Sequence, residues 1–432
     1  MTLIPMVQVM QLSLFLMILL SLSCGTIPQD SQINSISWAG SILTLFGMAI
    51  VIQLVGNLAI KAARRDHTNG INSDAASRLD RNLERCRWAS IAAVVISLRY
   101  WGLAEATADL PWVKHSLALQ SLVLLTPGTL LMMFCIMTAE RFSAHALNTL
   151  TKTPTNTFRC LMSSAPKIRF LLGTSLFPIL MLLGFIDVIQ ILPLHDSYTA
   201  VLNIGLVVIF LILVLPWTAV RFMDTTPIAG VDQKWIKGLT QAAGLGKIEV
   251  AIWNTNKRNM NAVVVGFVSP FRKLLLSDQL IERLPRTQLA MVILHEAAHL
   301  KRRHLPLRML SIIPIWGTAA AISPWFETSQ WFAPTGSISC ILLTLLTLRW
   351  VSHRTEHDAD IEACRIAASL SDQFNELPDS FEQAGRELSR ALLEVTSERT
   401  SSRKSSWMHP GVLARISTMR ANREKSVVLG IS

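Results

Sequence analysis

Charge is what this 432-residue chain has least of. Asp, Glu, Lys and Arg together make up 16% of it, against 51% hydrophobic residues. Soluble globular domains carry about 25% charged residues, so an ordinary soluble enzyme is excluded. Cysteine is sparse too. The six present (Cys24, Cys86, Cys135, Cys160, Cys340 and Cys364) form no C-x-x-C pair and no tight cluster. That excludes a disulfide framework and a cysteine-held zinc site, and they read as small core residues. No basic residue precedes the first apolar run, and Ser21 stands where a lipoprotein signal would have leucine. The run reads as a signal-anchor helix, with its cleavage left open.

What the chain does have is apolar runs of membrane length, at about 3–22, 38–60, 88–106, 113–138, 170–192, 199–223, 307–325 and 332–350. Pro127, Pro178 and Pro216 fall inside three of them, which membrane helices tolerate and soluble helices do not. Trp38, Trp88, Trp112, Trp325, Trp331 and Trp350 sit at run ends, as an aromatic belt would.

The net charge of +11 comes from basic residues gathered between runs, so it sets topology rather than implying a nucleic-acid partner. Lys61, Arg64, Arg65, Arg78, Arg81, Arg85 and Arg87 lie in one connection, and Arg141, Lys152, Arg159, Lys167 and Arg169 in another. The alternate connections offer only Lys114. The positive-inside rule then puts the basic connections, and the polar stretch from Asp224 onward, in the cytoplasm. Arg99 and Asp187 are ionisable residues within runs, and neither is assigned a role.

The polar stretch carries Leu294-His295-Glu296-Ala297-Ala298-His299-Leu300. On a helix, positions four apart share a face, so His295 and His299 can hold one Zn²⁺ between them. Glu296 is offset by about 100°, beside the open coordination position rather than on the metal, where it can act as general base. The neighbours Leu289, Val292, Ile293 and Leu294 are apolar, which argues against a solvated surface helix. A metzincin would have glycine and histidine where Arg302 and Leu305 stand, so that subclass is excluded.

Zinc needs a third ligand. The helix expected after the last run holds Glu356 and Asp360 four residues apart on one face. Glu356 can bind the metal, with Asp360 supporting a ligand histidine from behind. His353 and His357 are competitors for the same role.

The order of features resembles the HtpX-like family of membrane zinc metallopeptidases, which includes the CAAX prenyl proteases. Asn261-Ala262 is followed by Gly266, then Leu275-Leu276-Ser277-Asp278, His295–His299, a pair of apolar runs, Glu356 with Asp360, and His409-Pro410 with Arg415-Ile416. The resemblance covers about 230–420. The eight apolar runs predict a multi-pass α-helical membrane protein of about eight membrane helices, the first six outside the resemblance. The resemblance itself implies an α+β gluzincin-type zinc metallopeptidase domain. It implies a strand edge at Asn261 and Ala262 that grips an extended substrate peptide, and a His409 that donates to the carbonyl oxygen. Arg415 would pair with an acidic group such as Asp360.

The expected divisions are a membrane region at 1–223, a first half-domain at 224–304, a membrane hairpin at 305–350 and a second half-domain at 351–432. Within these, strands are expected at 248–253, 262–268 and 273–276, a helix capped by Ser277, an amphipathic helix at 379–395, a mobile serine-rich loop at 397–406 and a helix at 412–421. The expected function is a zinc endopeptidase acting on proteins of the lipid bilayer, in a bacterial inner membrane with its site facing the cytoplasm. The alternatives are a BlaR/MecR-type sensor protease, for which no outer loop is long enough to form a ligand domain, and a channel or transporter with a structural zinc site. A structural site would use four protein ligands and have no need of Glu296.

Overall fold

A computed structural model describes residues 4–26, 35–68, 75–151, 157–246, 248–255, 260–266, 272–322, 332–397, 403 and 405–428. Trp325 and Trp331, residues 267 and 268 of the expected second strand, and 398–402 and 404 of the expected mobile loop lie outside them. The chain divides into two compact units, Val9–Phe210 and Leu211–Ser432 together with Met1–Gln8.

The first unit is helical. Its elements are α1 (Ile4–Thr26, whose first residues count with the second unit), α2 (Ser35–Thr68), α3 (Ala75–Val95), α4 (Leu103–Ala108), α5 (Leu117–Thr151), α6 (Thr157–Leu171), α7 (Phe177–Ile191) and α8 (Asp196–Ile209). Two π-helical turns, Ile96–Tyr100 and Leu172–Leu176, join α3 to α4 and α6 to α7. Helix α2 packs on α3 and α5, and α5 packs on α7. Gly40 lets α2 approach the chain between α3 and α4, because a Cβ there would run into the Trp101 ring. That ring is fixed by its Nε1–H donating to Thr44 Oγ1 at 3.0 Å.

Asp187 finds its partners at the start of α5. Its carboxylate accepts from Ser116 Oγ (2.7 Å), Leu117 N (2.8 Å) and Ala118 N (3.0 Å). The first turn of a helix has N–H groups with no partner within the helix. In an apolar setting, an acidic side chain supplies that partner and meets the positive end of the helix dipole. Asp187 is thus a cap.

Among the described residues, five helices are long and apolar enough to cross a membrane: Trp38–Ala63, Leu117–His145, Ser164–Ile191, Ser197–Phe222 and His304–Ile322. The runs at 3–22, 88–106 and 332–350 are not among them. The first leaves a shorter apolar helix, Leu12–Gly25. The third is cut short because α3 is polar up to Arg87, and the chain leaves the helix at Trp101 and the left-handed Gly102 (φ 70°).

The chain enters the second unit within a π turn (Phe210–Val214), followed by α9 (Leu215–Phe222). It then builds β1 (Thr225–Pro227), α10 (Gly230–Ala242), β2 (Glu249–Trp253), β3 (Ala262–Val265) and β4 (Lys273–Ser277). The sheet order is β1-β2-β4-β3. Strand β2 runs parallel to β4, while the edges β1 and β3 are antiparallel to their neighbours. Strand β1 and helix α10 were not anticipated from the sequence.

Next come α11 (Asp278–Arg283), α12 (Arg286–Lys301), α13 (His304–Leu310), α14 (Ile313–Ile322), α15 (Phe332–Leu370), α16 (Phe381–Val395) and α17 (Val412–Val428). Ser277 caps α11, its Oγ accepting from Leu280 N at 3.3 Å. Helix α15 runs unbroken for 39 residues, across the boundary expected at 350. Leu274, Leu276, Ile293, Leu294 and Leu388 are all within 1% of full burial, so sheet, α12, α15 and α16 share one core. Each such leucine contributes about 1.5–3 kcal/mol.

Candidate active site

Helices α12 and α15 meet through small residues. Ala290, Ala297 and Ala298 on α12, and Ala359, Ala363 and Ala367 on α15, are 0–1% exposed. Short side chains let the two backbones approach, so longer side chains on the same faces converge. Those longer ones are His295 and His299 from α12, and Glu356 and Asp360 from α15.

The ring nitrogens His295 Nε2 and His299 Nε2 lie 3.2 Å apart. Glu356 Oε2 is 3.6 Å from the first, and its Oε1 is 3.4 Å from the second. Three atoms bound about 2.0–2.2 Å from a tetrahedral Zn²⁺ would be spaced by about 3.3 Å. The donor types and the spacings therefore both suit such an ion, and these are the three residues that could hold one among those described. His353 turns away, its Nε2 3.2 Å from the Ser406 carbonyl oxygen. The buried His357 Nδ1 has no hydrogen-bond partner and stands outside the cluster.

Each donor is fixed by a second group. His295 Nδ1 is 3.0 Å from Asp360 Oδ1. Arg415, brought in on α17, donates to Asp360 from Nε (2.8 Å) and Nη2 (2.5 Å). It also stands 3.6 Å from Glu356 Oε2. His409 Nδ1 is 3.1 Å from the same oxygen, and its ring remains 42% exposed. Its segment is pinned by Ser406, whose N–H donates to the His409 carbonyl at 2.8 Å. Arg308 was not singled out in the sequence. It donates to Glu356 Oε1 at 3.1 Å and to Thr355 Oγ1 at 2.7 Å.

Burial raises the Glu296 carboxyl to about 7; the charges of His295 and His409 and a backbone hydrogen bond from Val264 oppose the rise. A carboxylate poised there can take up and release a proton near neutral pH. Burial also lowers His299 to about 4, keeping its imidazole neutral as a ligand must be. Burial and Arg415 push His295 down as well, but hydrogen bonds to Asp360 and Glu356 prevail and raise it to about 9. Metal binding there must displace a proton. Glu356 sits well below the usual carboxylate range, because His409, His295 and His299 outweigh its burial.

Asn261 faces into the sheet. Its N–H donates to Ser277 Oγ and its carbonyl accepts from Ser277 N, both at 2.9 Å. Main-chain groups alternate sides along an antiparallel ladder. Ala262 and Val264 therefore present theirs to the open edge of β3, the edge from which Val264 reaches Glu296.

Residues 233–423 match the sequence profile of Peptidase family M48. The chain carries a peptidase M48 domain. It is a metalloprotease, and the resemblance to the HtpX-like and CAAX protease type is borne out at family level. The crystal structure of S. mikatae Ste24p is similar, with a TM-score of 0.48 and 15% sequence identity over 88% of this chain and 98% of that one. A comparison with curated proteins finds no match. Both halves of the donor set, His295 with His299 and Glu356, fall inside the M48 match.

Proposed function

We propose that this M48 protein is an integral-membrane zinc endopeptidase that hydrolyses peptide bonds of membrane proteins at the cytoplasmic face. The observation that carries the reading is the convergence of two imidazoles and one carboxylate at about tetrahedral spacing, with Glu296 beside them. His295, His299 and Glu356 would hold the ion. When bound, zinc polarises the scissile carbonyl and makes water a stronger acid.

The chain's own residues do the rest. The edge of β3 pairs with an extended substrate backbone, with Ala262 and Val264 supplying main-chain groups and Asn261 anchoring the strand. Glu296 takes the proton of the attacking water and delivers it to the leaving amine. His409 donates to the carbonyl oxygen as charge develops there. Asp360 orients His295, and Arg415 holds Asp360.

In this reading the runs at 3–22, 88–106 and 332–350 complete eight spans. The two halves of the peptidase, 224–304 and 351–432, lie together inside, with the hairpin 305–350 between them and the membrane region 1–223 before them. The basic connections support that orientation in a bacterial inner membrane. The test is Glu296→Gln. It should keep zinc at wild-type stoichiometry and lose peptidase activity by about 10²–10⁴-fold. Loss of the metal along with activity would show Glu296 to be a ligand.

A further inference from the structure

Helix α12 ends just past His299, and the turn beyond it is unusual. Arg303 takes a left-handed conformation at φ 54°, the one non-glycine residue with positive φ among those described. That turn folds His304 back beneath α12, where it is 3% exposed. Its Nδ1 lies 2.9 Å from His299 Nδ1. Its Nε2 lies 2.9 Å from Asp358 Oδ2. Asp358 in turn accepts two hydrogen bonds from Arg302, from Nε at 2.8 Å and from Nη2 at 2.9 Å.

One assignment of ring protons satisfies every contact. His299 turns Nε2 toward His295 and Glu356, so a lone pair must sit there for a ligand. Its proton is then on Nδ1, and His304 Nδ1 must accept it. That leaves the His304 proton on Nε2, donated to Asp358. The carboxylate, fixed by Arg302, accepts. The reverse assignment would aim an N–H of His299 at the metal position.

We propose that His304 and Asp358 are positioning residues for the metal, a relay that fixes the tautomer and ring plane of His299. They would do for His299 through two residues what Asp360 does for His295 directly. This rests on the metallopeptidase reading and deepens it.

The test is zinc affinity, measured by chelator competition on the full-length protein in detergent. His304→Ala should weaken binding by about 10–100-fold, the usual effect of removing a group that orients a ligand. His304→Asn places Oδ1 where the accepting Nδ1 was, and should bind more tightly than His304→Ala. A mere packing role would not give that rescue. Asp358→Asn should weaken binding in the wild-type background and change nothing in the His304→Asn background. Wild-type affinity in His304→Ala overturns the relay. If that variant does not fold, equal losses from Asp358→Asn in both backgrounds overturn it instead. Glu356→Ala separates the two readings. If it keeps wild-type affinity, the metal site itself is wrong; if it alone loses zinc, only the relay fails.

Discussion

The two sides of the histidine pair are built differently. On the inner side, His295 is backed by Asp360 and Arg415, whose side chains are 1% and 9% exposed. On the outer side, the chain behind His299 ends in Asp358 and Arg302, which are 36% and 47% exposed. Both sides place a carboxylate and an arginine behind an imidazole. The inner pair is joined across 55 residues by the arrival of α17. The outer pair joins the end of α12 to α15 at the protein surface. What differs is water, and water decides what each ion pair is worth.

A buried pair is costly to break, because one partner is left charged and unsatisfied. Arg415→Ala should therefore destabilise the peptidase unit by about 3–5 kcal/mol, read by thermal unfolding of the metal-stripped protein. A loss under about 1 kcal/mol would mean that water reaches Asp360 once the arginine is gone.

Acid should find the same weak point. Burial would raise Asp360, but the charge and hydrogen bonds of Arg415 outweigh it and hold the carboxyl at about 2, against an ordinary 3.8. A depressed carboxylate gives stability that is present above the ordinary value and is lost as pH falls toward the folded one. The advantage of the wild type over Asp360→Asn should shrink by about 2 kcal/mol between about pH 4 and pH 2. Asp358 is also lowered, first by its hydrogen bond to Arg302, but solvent screening makes its share smaller. A difference that stays constant over this range would place the Asp360 charge elsewhere in the energetics.

Smaller effects belong to the outer side. Arg303→Gly removes a left-handed side chain and should raise stability by up to about 1 kcal/mol, a gain that calorimetry can detect. Arg302→Ala should cost about 0–1 kcal/mol, as exposed pairs do. A cost of several kcal/mol would make the outer side as dry as the inner one.

Much of this site was legible before folding, because its parts repeat along single helices. His295 and His299 on α12, and Glu356 and Asp360 on α15, are each one turn apart, and helical geometry alone puts each pair on one face. The Ser277 cap was legible for the same local reason. The second support of His299 was not. His304 was present in the sequence five residues on, but its use depends on a positive φ at Arg303 that no side chain announces. Nor was Asp187 legible as a cap, since its partners stand about 70 residues away in the chain.

By itself, then, the sequence determined that several segments are apolar enough for a bilayer, five of the eight expected runs among the described residues, which helix carries the histidines and which carboxylates share a face. These follow from composition and from periods of a few residues. Tertiary structure decided that the alanine faces of α12 and α15 close together, that His353 turns to the Ser406 carbonyl while His357 stands outside the donor cluster, and that Arg415 and His409 arrive from the end of the chain. Those outcomes depend on packing between distant segments. A buried charge is stable only where another segment supplies its partner, and no local pattern states which segment that will be.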